Sequence, residues 1–171
     1  MRCRLRRTSR SRAIVAAAAA VASTAVGAAE VPPCPPSGDA VVVLTRAHEL
    51  WLCANGVAPA RFAVALGRGG VGKHRRGDAR TPLGTYPLGL PRASERFGTF
   101  IPIGYPTPAQ AARGRSGAAI GIHGPPRGMD GSRYLVTGLD WTLGCIATGS
   151  DEDVGAIAAF VRRRQPAIEL R

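Results

Sequence analysis

The chain has 171 residues, of which 45% are hydrophobic and 20% charged, and a formal net charge of +12. That length holds one globular domain, and that composition excludes a disordered chain. The charge by itself suggests an anionic partner such as nucleic acid or an anionic envelope, but its placement weakens the first of these. Arg2, Arg4, Arg6, Arg7, Arg10 and Arg12 all fall in the first twelve residues, with no acid among them.

The basic start leads into an Ala-rich run from Ala13 to about Val26 and then Gly27-Ala28-Ala29. A basic head, an apolar middle and a small-residue exit are the three parts of a secretory signal peptide, so residues 1–29 are read as a leader and the protein as exported to the periplasm or cell envelope. Cleavage after Ala29 leaves residues 30–171, with 17 basic and 11 acidic side chains. Their net charge of +6 is half the headline value. The remaining basic residues are dispersed and form no recognition motif, so nucleic acid is not expected as a partner. No later apolar run approaches the roughly 20 residues of a membrane span, so no transmembrane segment is expected beyond the leader.

Residues 30–39 contain four prolines and read as a linker; residues 40–171 form the domain. Ala40 to Thr45 is a short apolar run of buried-strand type. His48 to Cys53 and Ala60 to Leu66 are the next two strands, with Ala54-Asn55-Gly56 as turn chemistry between them. Gly67 to Gly77 has five glycines among Arg, Lys and His and reads as a mobile basic loop. Thr81 to Tyr86 is a tight turn into a strand, Phe97 to Ile103 another strand, and Pro108 to Arg113 one or two helical turns. Ala118 to His123 is a strand stopped by Gly124-Pro125-Pro126. Ser150 caps a helix that carries Asp151, Glu152 and Asp153 at its positive end and Arg162 to Arg164 at its negative end. Pro166 stops it, and Ala167 to Leu170 forms a last strand. The fold class is therefore mixed, β-rich α+β, with one or two short helices and no internal repeat.

The cysteines bear on function. Cys3 leaves with the leader, and Cys34 and Cys53, close in sequence, are the natural disulfide pair in an oxidising compartment. Cys145 remains, a buried structural residue or a reactive thiol. A cysteine nucleophile requires a base, a group that orients the base, and donors for an oxyanion. Of three histidines, His48 reads as a surface or packing residue and His74 as a solvated loop residue among positive charges. His123 closes the strand Ala119-Ile120-Gly121-Ile122 and is followed by Gly124, which permits close backbone approach. Gly144-Cys145, placed before a helix-forming segment, presents backbone N–H groups to an oxyanion. With no acid obviously placed to orient His123, the carbonyl of Gly124 is the expected partner. Together these residues favour a Cys–His acyl-transfer site.

Ile122-His123-Gly124, a spacer of about twenty residues, and Thr142-Leu143-Gly144-Cys145-Ile146 resemble the signature of the L,D-transpeptidase catalytic domain, the YkuD-like family. Gly72-Lys73, Gly77-Asp78 and Thr81-Pro82-Leu83-Gly84-Thr85-Tyr86 are similar to that family's Gly-rich stretch and Thr-Pro-x-Gly turn. The resemblance runs from about Val41 to Val161. It implies a YkuD-like β-sandwich or barrel, a cell-envelope location, action on peptidoglycan stem peptides through a Cys145 thioester, and neither metal nor cofactor. Ala147 stands where many members have Arg, and the string from Asp140 to Ala147 looks more like a murein transpeptidase and hydrolase subgroup. Arg127 or Arg133 is then expected to supply a guanidinium for a substrate carboxylate. Thr142 and Trp141, beside the cysteine, are expected on the substrate-binding side.

The resemblance implies attack by Cys145 on the third residue of a tetrapeptide stem, loss of D-Ala, and resolution by an amine of another stem or of a wall-anchored protein. Resolution by water would make the enzyme an L,D-carboxypeptidase or an amidase that releases wall-linked protein. A non-catalytic wall-binding module with a structural Cys145 is the reading from another class. A monomer is expected.

Overall fold

The computed structural model describes residues 32–128, 137 and 139–171. Residues 1–29, expected to be a leader, and Arg133 lie outside these residues. The first strands follow from local pattern. β1 (Asp39–Leu44) buries Val41, Val42 and Val43 and pairs antiparallel with β2 (Glu49–Ala54). Asn55 and Gly56, both at positive φ (48° and 82°), turn the chain into β3 (Val57–Ala65). These are the dihedral signs a two-residue hairpin needs to match strand twist. The Pro-rich stretch is no free tether: Cys34 is disulfide-bonded to Cys53, and Asn55 N–H donates to Gly38 O at 2.8 Å.

β4 (Gly84–Pro87), β5 (Arg92–Ser94) and β6 (Gly98–Pro102) come next, then a single helical turn, α1 (Pro108–Ala112), closed by a Thr107–Gln110 capping box. β7 (Gly121–His123) and β8 (Ile146–Thr148) have only three residues each. Ser150 caps α2 (Asp151–Arg164), its hydroxyl accepting from Asp153 N–H at 3.1 Å. Val154, Ile157, Ala158, Phe160 and Val161 form the helix's buried stripe, and Gln165 ends it in the left-handed conformation. β9 (Ala167–Leu170) completes the chain.

The nine strands among the described residues belong to one mixed sheet in the order β4-β9-β1-β2-β3-β8-β7-β6-β5. The sheet curls back on itself: Leu88, just past β4, bridges Ile103, just past β6, and Gly104 N–H donates to Pro87 O. One main hydrophobic cluster fills the interior, drawn from strands across the sheet and from α2. β5 has no counterpart in the sequence reading, and three further elements differ from it. The segment after Cys145 is strand before it is helix. The strand ending at His123 starts at Gly121 rather than Ala118, because Ala119 takes a left-handed φ of 61°. His48 lies in the β1–β2 turn, at φ 55°, rather than in a strand.

Among the described residues, no helix is long and apolar enough to cross a membrane.

Candidate active site

The site is mounted on the two shortest inner strands. β7 and β8 run parallel, with Ile122 opposite Ile146 and His123 opposite Ala147. Cys145, the residue before β8, is thus one strand over and two residues back from His123. Because strand side chains alternate in direction, this spacing puts both on one face, and both line a cleft of about 650 Å³. Gly121 has no room for a side chain: a Cβ there would come within 2.3 Å of the Phe100 ring and 2.6 Å of Ile101 O.

His123 is 1% exposed. Phe97 stacks on its ring at 3.7 Å between centroids, and Trp141 meets it edge-on at 6.0 Å. Nδ1 lies 2.7 Å from Gly124 O. A carbonyl oxygen only accepts, so Nδ1 carries the proton and the neutral ring keeps its lone pair on Nε2. Burial lowers the imidazole pKa to about 4, helped by the Arg96 charge and opposed by the bond to Gly124.

Cys145 is half-buried and is the free cysteine among the described residues. Its Sγ contacts Ala119 O at 3.5 Å. Burial raises the thiol pKa, while a backbone hydrogen bond from Gly121 and the charges of Lys73 and Arg96 act against the shift. Both groups are thus pushed toward their uncharged forms, so the resting pair is thiol and imidazole rather than thiolate and imidazolium.

The loop bearing Cys145 is tied together by Thr142, which is 3% exposed. Thr142 Oγ1 donates to Cys145 O at 2.7 Å and accepts from Gly144 N–H at 3.0 Å. Its backbone joins β3's exit, with Thr142 N–H to Leu66 O at 3.0 Å and Arg68 N–H to Thr142 O at 2.9 Å. Thr142 lines the cleft, but its hydroxyl is engaged inside the loop rather than turned over to a ligand. Gly144's N–H is engaged likewise, which leaves the Cys145 N–H as the amide of this pair to consider for an oxyanion. Gly144 has φ 124°, and a Cβ would lie 2.6 Å from Arg80 O, so the loop admits no side chain there.

Trp141 lines the cleft; Arg127 does not. Arg127 is exposed, and its guanidinium packs so closely on Gly98 that a Cβ there would meet Nη2 at 2.7 Å. Lys73, Arg76 and Arg96 line the cleft instead. None of these three was singled out as a ligand from sequence.

The Gly67–Gly77 segment also differs from the mobile loop expected of it. Lys73 is 3% exposed and pairs with Asp78 at 2.7 Å. Tyr105 OH and the Arg115 guanidinium both donate to Lys73 O. Asp78 also accepts backbone N–H bonds from His74, Arg75 and Arg80. Burial would raise this carboxyl's pKa, but Lys73 and the three N–H donors together hold it well below the usual carboxylate range. Gly67 N–H donates to Thr81 Oγ1 at 2.8 Å, closing the base of the loop. The spacing of Gly72-Lys73 and Gly77-Asp78 was the available signal.

His48 is a second residue whose contact was missed. Its Nε2 donates to Asp140 Oδ1 at 3.0 Å, the same oxygen that accepts Leu66 N–H at 3.0 Å. Asp140 directly precedes Trp141 and so anchors the start of the cysteine loop.

The family model of the YkuD L,D-transpeptidase catalytic domain matches residues 38–168, and the chain belongs to this family. Two solved structures of the helical cell shape determining protein Pgp2 from Campylobacter jejuni are similar. One has TM-score 0.65 and 21% identity over 83% of this chain and 52% of that one. The other, a K307A mutant, has 0.64 and 23% over 78% and 47%. Bd1075 from Bdellovibrio bacteriovorus gives 0.57 and 17% over 79% and 48%. The chain therefore spans about half the length of these proteins, and at these identities the likeness is one of fold: the curled mixed sheet with two helices is the YkuD-like β-sandwich. No curated protein matches the chain in sequence.

Proposed function

We propose that the protein is an envelope enzyme that transfers acyl groups between peptidoglycan stem peptides, with Cys145 as nucleophile and His123 as general base. The observation that supports this reading is the register of β7 and β8, which sets Cys145 two residues back from the partner of His123, with both residues lining one cleft. The bond from Nδ1 to Gly124 O aims the basic Nε2 away from that carbonyl. Family membership supports peptidoglycan as the substrate class.

The chemistry follows from the uncharged resting pair. Nε2 takes the thiol proton as Sγ attacks the carbonyl of the third stem residue, a diamino acid. The Cys145 N–H donates to the resulting oxyanion, and the Lys73 and Arg96 charges favour the developing negative charge. Collapse breaks the amide bond, and the departing D-Ala amine takes the proton from Nε2. An amine of a neighbouring stem, or of a wall-anchored protein, then attacks the thioester and gives a proton to Nε2; the C–S bond breaks, and the departing sulfur takes that proton back, which restores the thiol and the neutral imidazole. The product is a 3→3 cross-link or an anchored protein. Neither metal nor cofactor enters this sequence.

Incubation of the purified protein with disaccharide-tetrapeptide tests the reading. Cross-linked dimer, with D-Ala released, is the expected product, and Cys145→Ala is expected to abolish it without unfolding the domain. Tripeptide without dimer would make water the acceptor and the enzyme a hydrolase. Unchanged turnover in Cys145→Ala would overturn the assignment altogether.

A further inference from the structure

Charge is distributed unevenly over this domain. Residues 67–80 and 113–117 together hold seven basic residues (Arg68, Lys73, Arg75, Arg76, Arg80, Arg113 and Arg115) and one acid, Asp78. The rest of residues 30–171 contains ten basic and ten acidic residues. The whole net positive charge of that part of the chain therefore resides in two short segments.

Those segments are joined to each other and to the cleft. Ser116 N–H donates to His74 O at 3.0 Å, Arg76 N–H to Ser116 Oγ at 3.3 Å, and the Arg115 guanidinium to Lys73 O. Arg76, Gly77, Gly117 and Ala118 form part of the cleft wall. Elsewhere, five cations have local partners: Arg61 with Glu49, Arg164 with Asp39, Arg171 with Glu169, and Arg92 and Arg96 over the rings of Phe100 and Phe97. In the two segments the single acid is taken by buried Lys73. Arg68, Arg75, Arg76, Arg80 and Arg113 are exposed. No carboxylate among the described residues forms an ion pair with any of these five guanidinium groups.

We infer that the two segments form a polyanion-binding shelf that holds the wall polymer through carboxylates of stem peptides other than the one reacting at Cys145. The carboxylate source rests on the peptidoglycan reading above. An exposed cation gains little from one anion in water, so a lone small ligand would hardly be retained. A polymer that repeats its carboxylates engages several forks at once, and after the first contact each further one is intramolecular. The shelf would thus raise affinity for polymer and do nothing for a soluble fragment seated in the cleft.

Arg68, Arg75 and Arg113 are not among the cleft-lining residues and can be changed together. The test is co-sedimentation of the purified protein, carrying Cys145→Ser to stop turnover, with insoluble peptidoglycan stripped of phosphate polymers. Arg68→Gln/Arg75→Gln/Arg113→Gln should weaken binding about tenfold or more. High salt should weaken the parent similarly, as should chemical amidation of the stem carboxylates. With Cys145 restored, the triple variant should acylate on soluble disaccharide-tetrapeptide at the parent rate. Parent-like sedimentation of the triple variant, or binding indifferent to amidation, would overturn the shelf. Charge-dependent sedimentation by a protein that never acylates would uphold the shelf and overturn the reaction instead.

Discussion

The β1–β3 meander and the β7–β8 pair are built on opposite plans. The meander is sustained by its own sequence: strands of six to nine residues, an Asn-Gly turn and a disulfide within 19 positions. β7 and β8 have three residues each and exist because their neighbours hold them. β6 and β3 flank them, Phe100 covers Gly121, and the Thr142 hydroxyl knits the approach to β8. The site thus sits where the chain has least local structure and most imported support. Its geometry should be correspondingly sensitive to changes that the meander would absorb.

The largest effect should come from the imported group itself. His123→Gln should slow single-turnover D-Ala release by about 10²–10⁴-fold, the usual worth of a positioned base. Circular dichroism of the same variant would show whether folding survives, and an undiminished rate would remove His123 from the chemistry.

Acid comes next. The His123 pKa is about 4 in the fold, below its ordinary value of 6.5, so the unfolded chain binds the proton more readily. The associated stability is present above pH 6.5 and is lost as pH falls through about 4, a change of about 3 kcal/mol. Asp78 acts in the same sense at lower pH, because its depressed carboxylate favours the fold only while ionised. Denaturant titrations between pH 7 and 4 should record the first loss in the parent and its near-absence in His123→Gln. A rate limb near pH 4 should accompany it.

Thr142→Val should cost about 1–3 kcal/mol, since it strips Cys145 O and Gly144 N–H of their shared partner. Chemical denaturation checks the cost; a comparable cost for Val57→Ala, at an exposed meander position, would dissolve the contrast between the regions. The smallest effect belongs to Arg127→Gln, which should move KM by less than about twofold, within the range of neutral surface changes. Arg96→Gln, by contrast, removes a cation from the cleft, and a larger rise in KM than for Arg127→Gln is the expected readout.

What could be read in advance follows the same division. The strands and turn of the meander, the Ser150 cap and the buried stripe of α2 are local patterns, and local patterns are visible in sequence. β5 and β8 are too short for any periodicity to appear, and the signal of α2 at Ser150-Asp151 overshadows Ile146–Thr148. Cys145 and His123, which line one cleft, drew notice through their chemistry and flanking glycines rather than through their elements. Arg96 and Phe97 were not, because Phe97 reaches His123 only through tertiary packing, 26 positions away. The burial of Lys73 within the expected mobile loop was not legible, because the groups that make it tolerable include Tyr105 and Arg115, both remote in sequence.

Rapid quench of the protein with tetrapeptide substrate, followed by mass spectrometry of its peptides, tests the central claim most directly. The account predicts a tripeptide-acyl adduct on the peptide containing Cys145, formed in step with D-Ala release and lost in Cys145→Ala. Release of D-Ala with no adduct on that peptide at any time point, or an adduct on another residue, would contradict it.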